Sequence, residues 1–97
     1  NGLNGYEDGS CTGHVASLRY VPSGWGNAIG WKAGATRAGW YVGSTPKVGA
    51  IGWRGNHVVY VVAVNENTVT ISEAIYRYVR YETRTIEKPI SYYTYLY

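Results

Sequence analysis

The order of residue types along the chain predicts an α+β fold, with helices first and an antiparallel sheet afterwards. Three observations carry this expectation. Gly and Ala are dense before about Tyr41, where short helices fit. From Val48 onward β-branched and aromatic residues dominate, as strands favour. His57 to Val64 (His-Val-Val-Tyr-Val-Val-Ala-Val) is apolar at nearly every position, the mark of a strand covered on both faces.

Residues Asn1 to Gly9, rich in Gly and Asn, read as a loop. Ser10 can cap a helix beginning at Cys11, because its hydroxyl can accept a free backbone N–H of the first turn. That helix is expected to run through Val15 and Leu18 to about Tyr20, with Val21-Pro22 stopping it. A second helix is expected from Asn27 to Ala38, where Ala28, Trp31, Ala35 and Ala38 fall at helical spacing. Gly30, Gly34 and Gly39 oppose it, each at a cost of ~1 kcal/mol relative to Ala. Strands follow at Val48–Arg54 and His57–Val64, then a hairpin turn at Asn65-Glu66-Asn67. In Thr68–Ala74 the residues Val69, Ile71 and Glu73 share one face, and Thr68, Thr70 and Ser72 the other. Arg77–Thr85 and Tyr92–Tyr97 complete the strands, with Pro89 between them.

A chain of 97 residues suffices for one hydrophobic core, so residues 1–97 are expected to form a single domain. Apolar residues at 45% and charged residues at 15% exclude a disordered chain. No apolar run reaches the ~18 residues of a membrane span, so no membrane partner is expected. The start, Asn-Gly-Leu-Asn-Gly, has no basic stretch followed by an apolar one, so no signal peptide is expected within it. The missing initiating Met fits a mature product or a domain excised from a larger protein. The single Cys excludes an intramolecular disulfide and a Cys-rich zinc site. Eleven Tyr and four Trp, with no Phe or Met, supply aromatic bodies with polar edges, suited to strands and to surfaces that hold polar ligands. The net charge of +3 is a mild bias toward anionic partners and is also ordinary for a soluble protein.

Cys11 is the first candidate for chemistry. At a helix N-terminus the partial positive charge favours thiolate over thiol; the plain alternative is a small buried hydrophobe. His57 opens the most apolar strand and can face a cleft. If residues 64 and 68 pair across the turn, position 57 lies opposite 75, and Glu73 is its diagonal neighbour at roughly 7–8 Å between Cα atoms. A carboxylate there can accept the imidazole N–H and stabilise the imidazolium; the alternative is a strand-end His beside an unrelated Glu. A one-residue slip would turn Glu73 to the other face. His14 competes with His57, since it lies one helical turn from Cys11. Cys11, His14, His57 and Glu73 could also hold a metal, although Cys-x-x-His without a second such pair is a weak pattern, and no metal is expected. Arg77, Arg80 and Arg84 interleave with Tyr76, Tyr78 and Tyr81, a pattern that can clamp nucleic acid but more often marks a half-exposed strand. Glu7-Asp8 does not make an EF-hand-type loop, so calcium has no supported site.

Taken in order, the motifs are Cys-Thr at a helix start, Trp-Gly-Asn-Ala, Ser-Thr-Pro-Lys-Val-Gly-Ala-Ile, His-Val-x-Tyr-Val, Thr-Val-x-Ile-Ser-Glu and a Tyr-rich end. From about Asn4 to Tyr97 this resembles the CHAP domain (cysteine, histidine-dependent amidohydrolase/peptidase), a papain-like family of bacterial cell-wall hydrolases and phage lysins. The resemblance implies N-terminal helices packed on a five- to six-stranded antiparallel β-sheet. It implies Cys11 as nucleophile, His57 as base and Glu73 as the group that orients it. The implied reaction is hydrolysis of a peptidoglycan amide bond through a thioester acyl-enzyme, as a muramoyl-alanine amidase or a stem or cross-bridge endopeptidase. It implies no cofactor, a cell-wall or extracellular location by secretion or phage delivery, and a monomer within a larger protein carrying a wall-binding domain. Two positions depart from the family. Ser10 stands where Gln is usual before the nucleophile, and Ile75 where Asn is frequent after the Glu. The backbone N–H of Cys11 remains for an oxyanion, and the hydroxyl of Ser10 or Tyr6 could substitute for the missing donor. His14 stands where an aromatic residue is common, which points to groove lining. The competing expectation is a catalytically weak or inactive wall-binding module on the same fold, with an aromatic surface including Trp25, Trp53 and Tyr60.

Overall fold

A computed structural model of the chain describes residues 3–7, 10–77 and 79–97. Two helices, α1 (Cys11–Leu18) and α2 (Trp31–Arg37), precede strands β1 (Val42–Gly43), β2 (Ile51–Arg54), β3 (His57–Val64), β4 (Thr68–Arg77), β5 (Arg80–Pro89) and β6 (Thr94–Leu96). All six strands form one antiparallel sheet in the order β1-β6-β2-β3-β4-β5. The architecture is α+β, with helices against one sheet face.

Ser10 caps α1 as expected: its Oγ accepts the Gly13 N–H at 3.1 Å. The helix ends at Leu18, short of Tyr20, because Arg19 turns extended, where its guanidinium donates to the Gly49 carbonyl and lies over the Trp40 ring. The second helical stretch opens as a 3-10 turn at Ala28–Gly30 before α2. Its glycines have a packing reason. A Cβ at Gly34 would stand 2.6 Å from the Trp25 ring, so the helix gives up propensity to let an indole lie against its backbone. Gly39, at positive φ, closes α2: its N–H bonds to Thr36 O and that of Trp40 to Ala35 O.

β2 begins at Ile51 rather than Val48, since 47–50 form a turn with Gly49 at positive φ. The β3–β4 pairing starts one residue away from the assumed one, at Val64↔Val69, and an irregularity between Val61 and Ala63 restores it by Tyr60↔Ser72. β4 and β5 pair without interruption from Thr68↔Pro89 to Arg77↔Arg80. The chain therefore reverses just before Arg80, and the strand expected at Arg77–Thr85 is divided between β4 and β5; Tyr78 lies outside the described residues. β1 had no counterpart in the sequence reading, and β6 is Thr94–Leu96, preceded by a 3-10 turn at Ile90–Tyr92.

Two apolar clusters flank the sheet. On the helix side Val15, Val21, Trp25, Trp31 and Ala35 pack on Ile51, Val58 and Leu96. On the other side Val59, Val61, Val69 and Ile71 lie with Tyr93 and Tyr95, joined by Ile86 and Tyr92. β3 is thus covered on both faces at Val58–Val61, but Val62 and Val64 are exposed past the irregularity.

Candidate active site

Three elements converge at one end of the sheet. The cap at Ser10 sets Cys11 as the first residue of α1, half-buried, where the helix N-terminus favours negative charge. The tight turn Gly55-Asn56, with Gly55 at positive φ, starts β3 at His57. Glu73 projects from the neighbouring β4 on the Val69/Ile71 face and is 3% exposed.

His57 Nε2 lies 2.7 Å from Glu73 Oε1. With Nε2 donating to the carboxylate, Nδ1 is the nitrogen left for sulfur. Burial pushes the Cys11 thiol up, but the hydrogen bond with His57, the N–H groups of Val58 and Thr12 and the imidazolium charge outweigh it, and the thiol titrates below its ordinary range. The same pairing with Cys11 raises His57 against its own desolvation, with help from Glu73. Desolvation likewise pushes Glu73 up, yet hydrogen bonds from His57 and Arg84 hold its carboxyl below the usual range. The three groups favour a thiolate beside an imidazolium backed by a carboxylate.

Arg84 is the member that sequence reasoning missed. Its Nε donates to Glu73 Oε2 at 2.6 Å, so both carboxylate oxygens are engaged. The signal was cross-strand: Glu73 and Arg84 are direct partners in the β4–β5 hairpin, visible only if the reversal is placed before Arg80. Arg80 pairs with Glu82, and Tyr76 packs edge-on against Tyr81. Two of the three arginines considered for nucleic acid are therefore occupied by carboxylates.

Cys11 opens into a depression of about 700 Å³ lined also by Tyr6, Ser10, Thr12, Asn27 and Asn56. The hydroxyls proposed as oxyanion donors are engaged elsewhere. Ser10 Oγ donates to the Glu7 carbonyl at 2.6 Å while capping α1. Tyr6 OH donates to the Pro22 carbonyl at 2.6 Å and accepts the Trp25 N–H. Asn27 and Asn56, which the sequence reading did not single out, are the exposed amides on this wall.

His14, Trp25, Trp53 and Tyr60 line neither this depression nor the one beyond His57. His14 Nε2 is 2.8 Å from Ser72 Oγ, joining α1 to the sheet, and desolvation lowers its pKa. Trp25 is buried edge-on against Trp31 and Trp40, so it belongs to the core and not to an aromatic surface. Trp53 donates its indole N–H to the Ala28 carbonyl, and Tyr60 packs partly buried on the helix-side core. Among the described residues no group of three or more His, Cys, Asp or Glu could hold a metal ion; Asp8 lies outside them.

The CHAP domain family model matches residues 1–74, a stretch that holds Cys11, His57 and Glu73. The chain belongs to the CHAP domain family. CHAP domains form a family of peptidoglycan hydrolases. This CHAP domain is similar to the staphylococcal secretory antigen ssaA2 of Staphylococcus aureus strain NCTC 8325 / PS 47, at 44% identity over 86 residues, covering 80% of this chain and 32% of that protein. It is similar to the secretory antigen SsaA of the same strain at 43% identity over 84 residues, covering 78% of this chain and 32% of that protein. The chain thus spans about a third of the length of the curated relatives it matches. Its fold is similar to the crystal structure of an N-acetylmuramoyl-L-alanine amidase from Staphylococcus aureus, with a TM-score of 0.70 at 23% identity, over 91% of this chain and 30% of that one. Among the described residues no helix is long and apolar enough to cross a membrane.

Proposed function

We propose that this CHAP domain hydrolyses an amide bond of peptidoglycan with Cys11 as nucleophile, His57 as proton shuttle and Glu73 as the group that orients and charges the imidazole. The supporting observation is the Cys11–His57–Glu73 relay, in which the thiol is acidified and the imidazole made more basic by each other. Sγ attacks the scissile carbonyl carbon and the carbonyl π electrons move to oxygen. The Cys11 backbone N–H, in the first turn of α1 where no intrahelical acceptor exists, faces that oxyanion. The tetrahedral adduct collapses, the C–N bond breaks, and His57 gives its proton to the departing nitrogen. A thioester remains. His57 then takes a proton from water, hydroxide adds to the thioester carbonyl, and the C–S bond breaks to release the carboxylic acid and restore the thiolate–imidazolium pair.

The bond is either the muramoyl–alanine amide or a peptide bond of the stem or cross-bridge. The secretory naming of the relatives supports action outside the cell. The test is clearing of a Gram-positive cell-wall suspension. Wild type is expected to clear it and Cys11→Ala to leave it turbid, with mass spectrometry of the released fragments naming the bond. Equal clearing by both proteins would refute the reading.

A further inference from the structure

A second depression, of about 350 Å³, is lined by His57 and not by Cys11, together with Glu73, Arg54, Arg84, Lys88 and Tyr92 among others. Three cations stand there against one carboxylate, and that carboxylate is already bonded to His57 and Arg84. Arg54 and Lys88 pair with no carboxylate among the described residues. Both nevertheless stand against one aromatic ring. The Arg54 guanidinium lies 3.8 Å from the centroid of the Tyr92 ring and donates to the Tyr92 carbonyl, and the Lys88 ammonium lies 4.9 Å from the same centroid. The ring holds both by its quadrupole but leaves their charge without a counter-ion. An oxyanion entering the depression would supply one, with the guanidinium offering a planar fork and the ammonium a point charge.

We propose that Arg54 and Lys88, gathered on Tyr92, form an anion subsite that takes a carboxylate or phosphodiester oxyanion of the wall polymer during hydrolysis. Cys11 lines the first depression and His57 the second, so a long polymer with its scissile bond at the sulfur can continue past the imidazole into the second. This rests on the hydrolase reading for its substrate, but not for the existence of the site.

Two measurements separate the claims. Inorganic pyrophosphate titrated into the protein should shift the backbone amide NMR signals of Arg54, Lys88 and Tyr92. The shifts should vanish in the Arg54→Gln/Lys88→Gln variant, whose far-UV circular dichroism should match wild type, since the two side chains reach solvent and the lost contacts with Tyr92 are at the surface. On soluble wall fragments the same variant should raise KM about tenfold, with kcat changed less than about twofold. Fragments from walls stripped of teichoic acid identify the source: a KM effect that survives stripping assigns the peptide carboxylate, and one that disappears assigns the phosphodiester. Pyrophosphate shifts in a protein that cuts no wall would sink the hydrolase and keep the site. Wall cutting with an unchanged KM in the variant and no pyrophosphate shifts would overturn the subsite and keep the hydrolase.

Discussion

Glu73 illustrates how a buried charge is made useful at the scale of one residue. Desolvation alone would favour its neutral form, and two charge-assisted hydrogen bonds reverse that. One partner, His57, takes part in the proposed chemistry, and the other, Arg84, acts through Glu73. Removing the guanidinium should raise the carboxyl's pKa, weaken its hold on the imidazolium and so raise the thiol's. Arg84→Gln is therefore expected to move the pH profile of Cys11 alkylation by iodoacetamide to higher pH. The rate near pH 6 should fall by up to about tenfold, a modest effect because Arg84 is partly exposed and solvent screens its charge. Arg84→Lys should recover part of the loss. A Gln variant with the wild-type profile would reduce the pair to a surface ion pair. The two histidines separate in the same way. His57→Ala should abolish wall clearing, whereas His14→Ala, which loses only the contact with Ser72, should keep most of it; the opposite result would exchange their roles.

At the scale of elements, α2 and the indole it accommodates show local propensity yielding to packing. Gly34→Ala improves helix propensity by ~1 kcal/mol, but its Cβ would stand 2.6 Å from the Trp25 ring, and Trp25 is wedged between Trp31 and Trp40. The net expectation is a loss of about 1–3 kcal/mol, read as a lower denaturant midpoint with unchanged slope. A higher midpoint would mean that Trp25 swings clear. Ser10→Ala should cost about 1 kcal/mol through the lost cap, and should slow Cys11 alkylation by loosening the turn that carries the sulfur. The same elements show what could be read from residues alone. The cap at Ser10, the apolar run from His57 and the alternation through Glu73 are local patterns, and they sufficed to anticipate α1, β3, β4 and the contact between His57 and Glu73. Trp25 lay beyond reach because burial depends on which helix glycine faces it, a long-range fact. The hydroxyls of Ser10 and Tyr6 were legible as donors, but their acceptors, the carbonyls of Glu7 and Pro22, are set by loop paths that no periodicity encodes. Arg84 became visible only once the β4–β5 reversal was placed.

Over the whole molecule, the relay couples stability to pH, because its members titrate differently in the folded and unfolded chain. Glu73 has a folded pKa below its unfolded value. Its ionised form therefore stabilises the fold above the ordinary carboxyl range, and that contribution is lost as pH falls through the lowered folded pKa. His57 has a raised folded pKa, so its contribution is full below the ordinary imidazole range and is lost as pH rises through the folded value. Together the two contributions overlap best between the unfolded carboxyl and imidazole values, from about pH 4.5 to about pH 6.5. Glu73→Gln isolates the acid side. Wild type should unfold at a higher temperature than the variant near pH 6, and the difference should shrink as pH falls below the ordinary carboxyl range and Glu73 takes up its proton in the folded state. A difference independent of pH across that interval would mean that Glu73 contributes by shape alone. In that case β4, anchored by Val69 and Ile71 in the far-side core, would hold the imidazole in place through Glu73 without charging it.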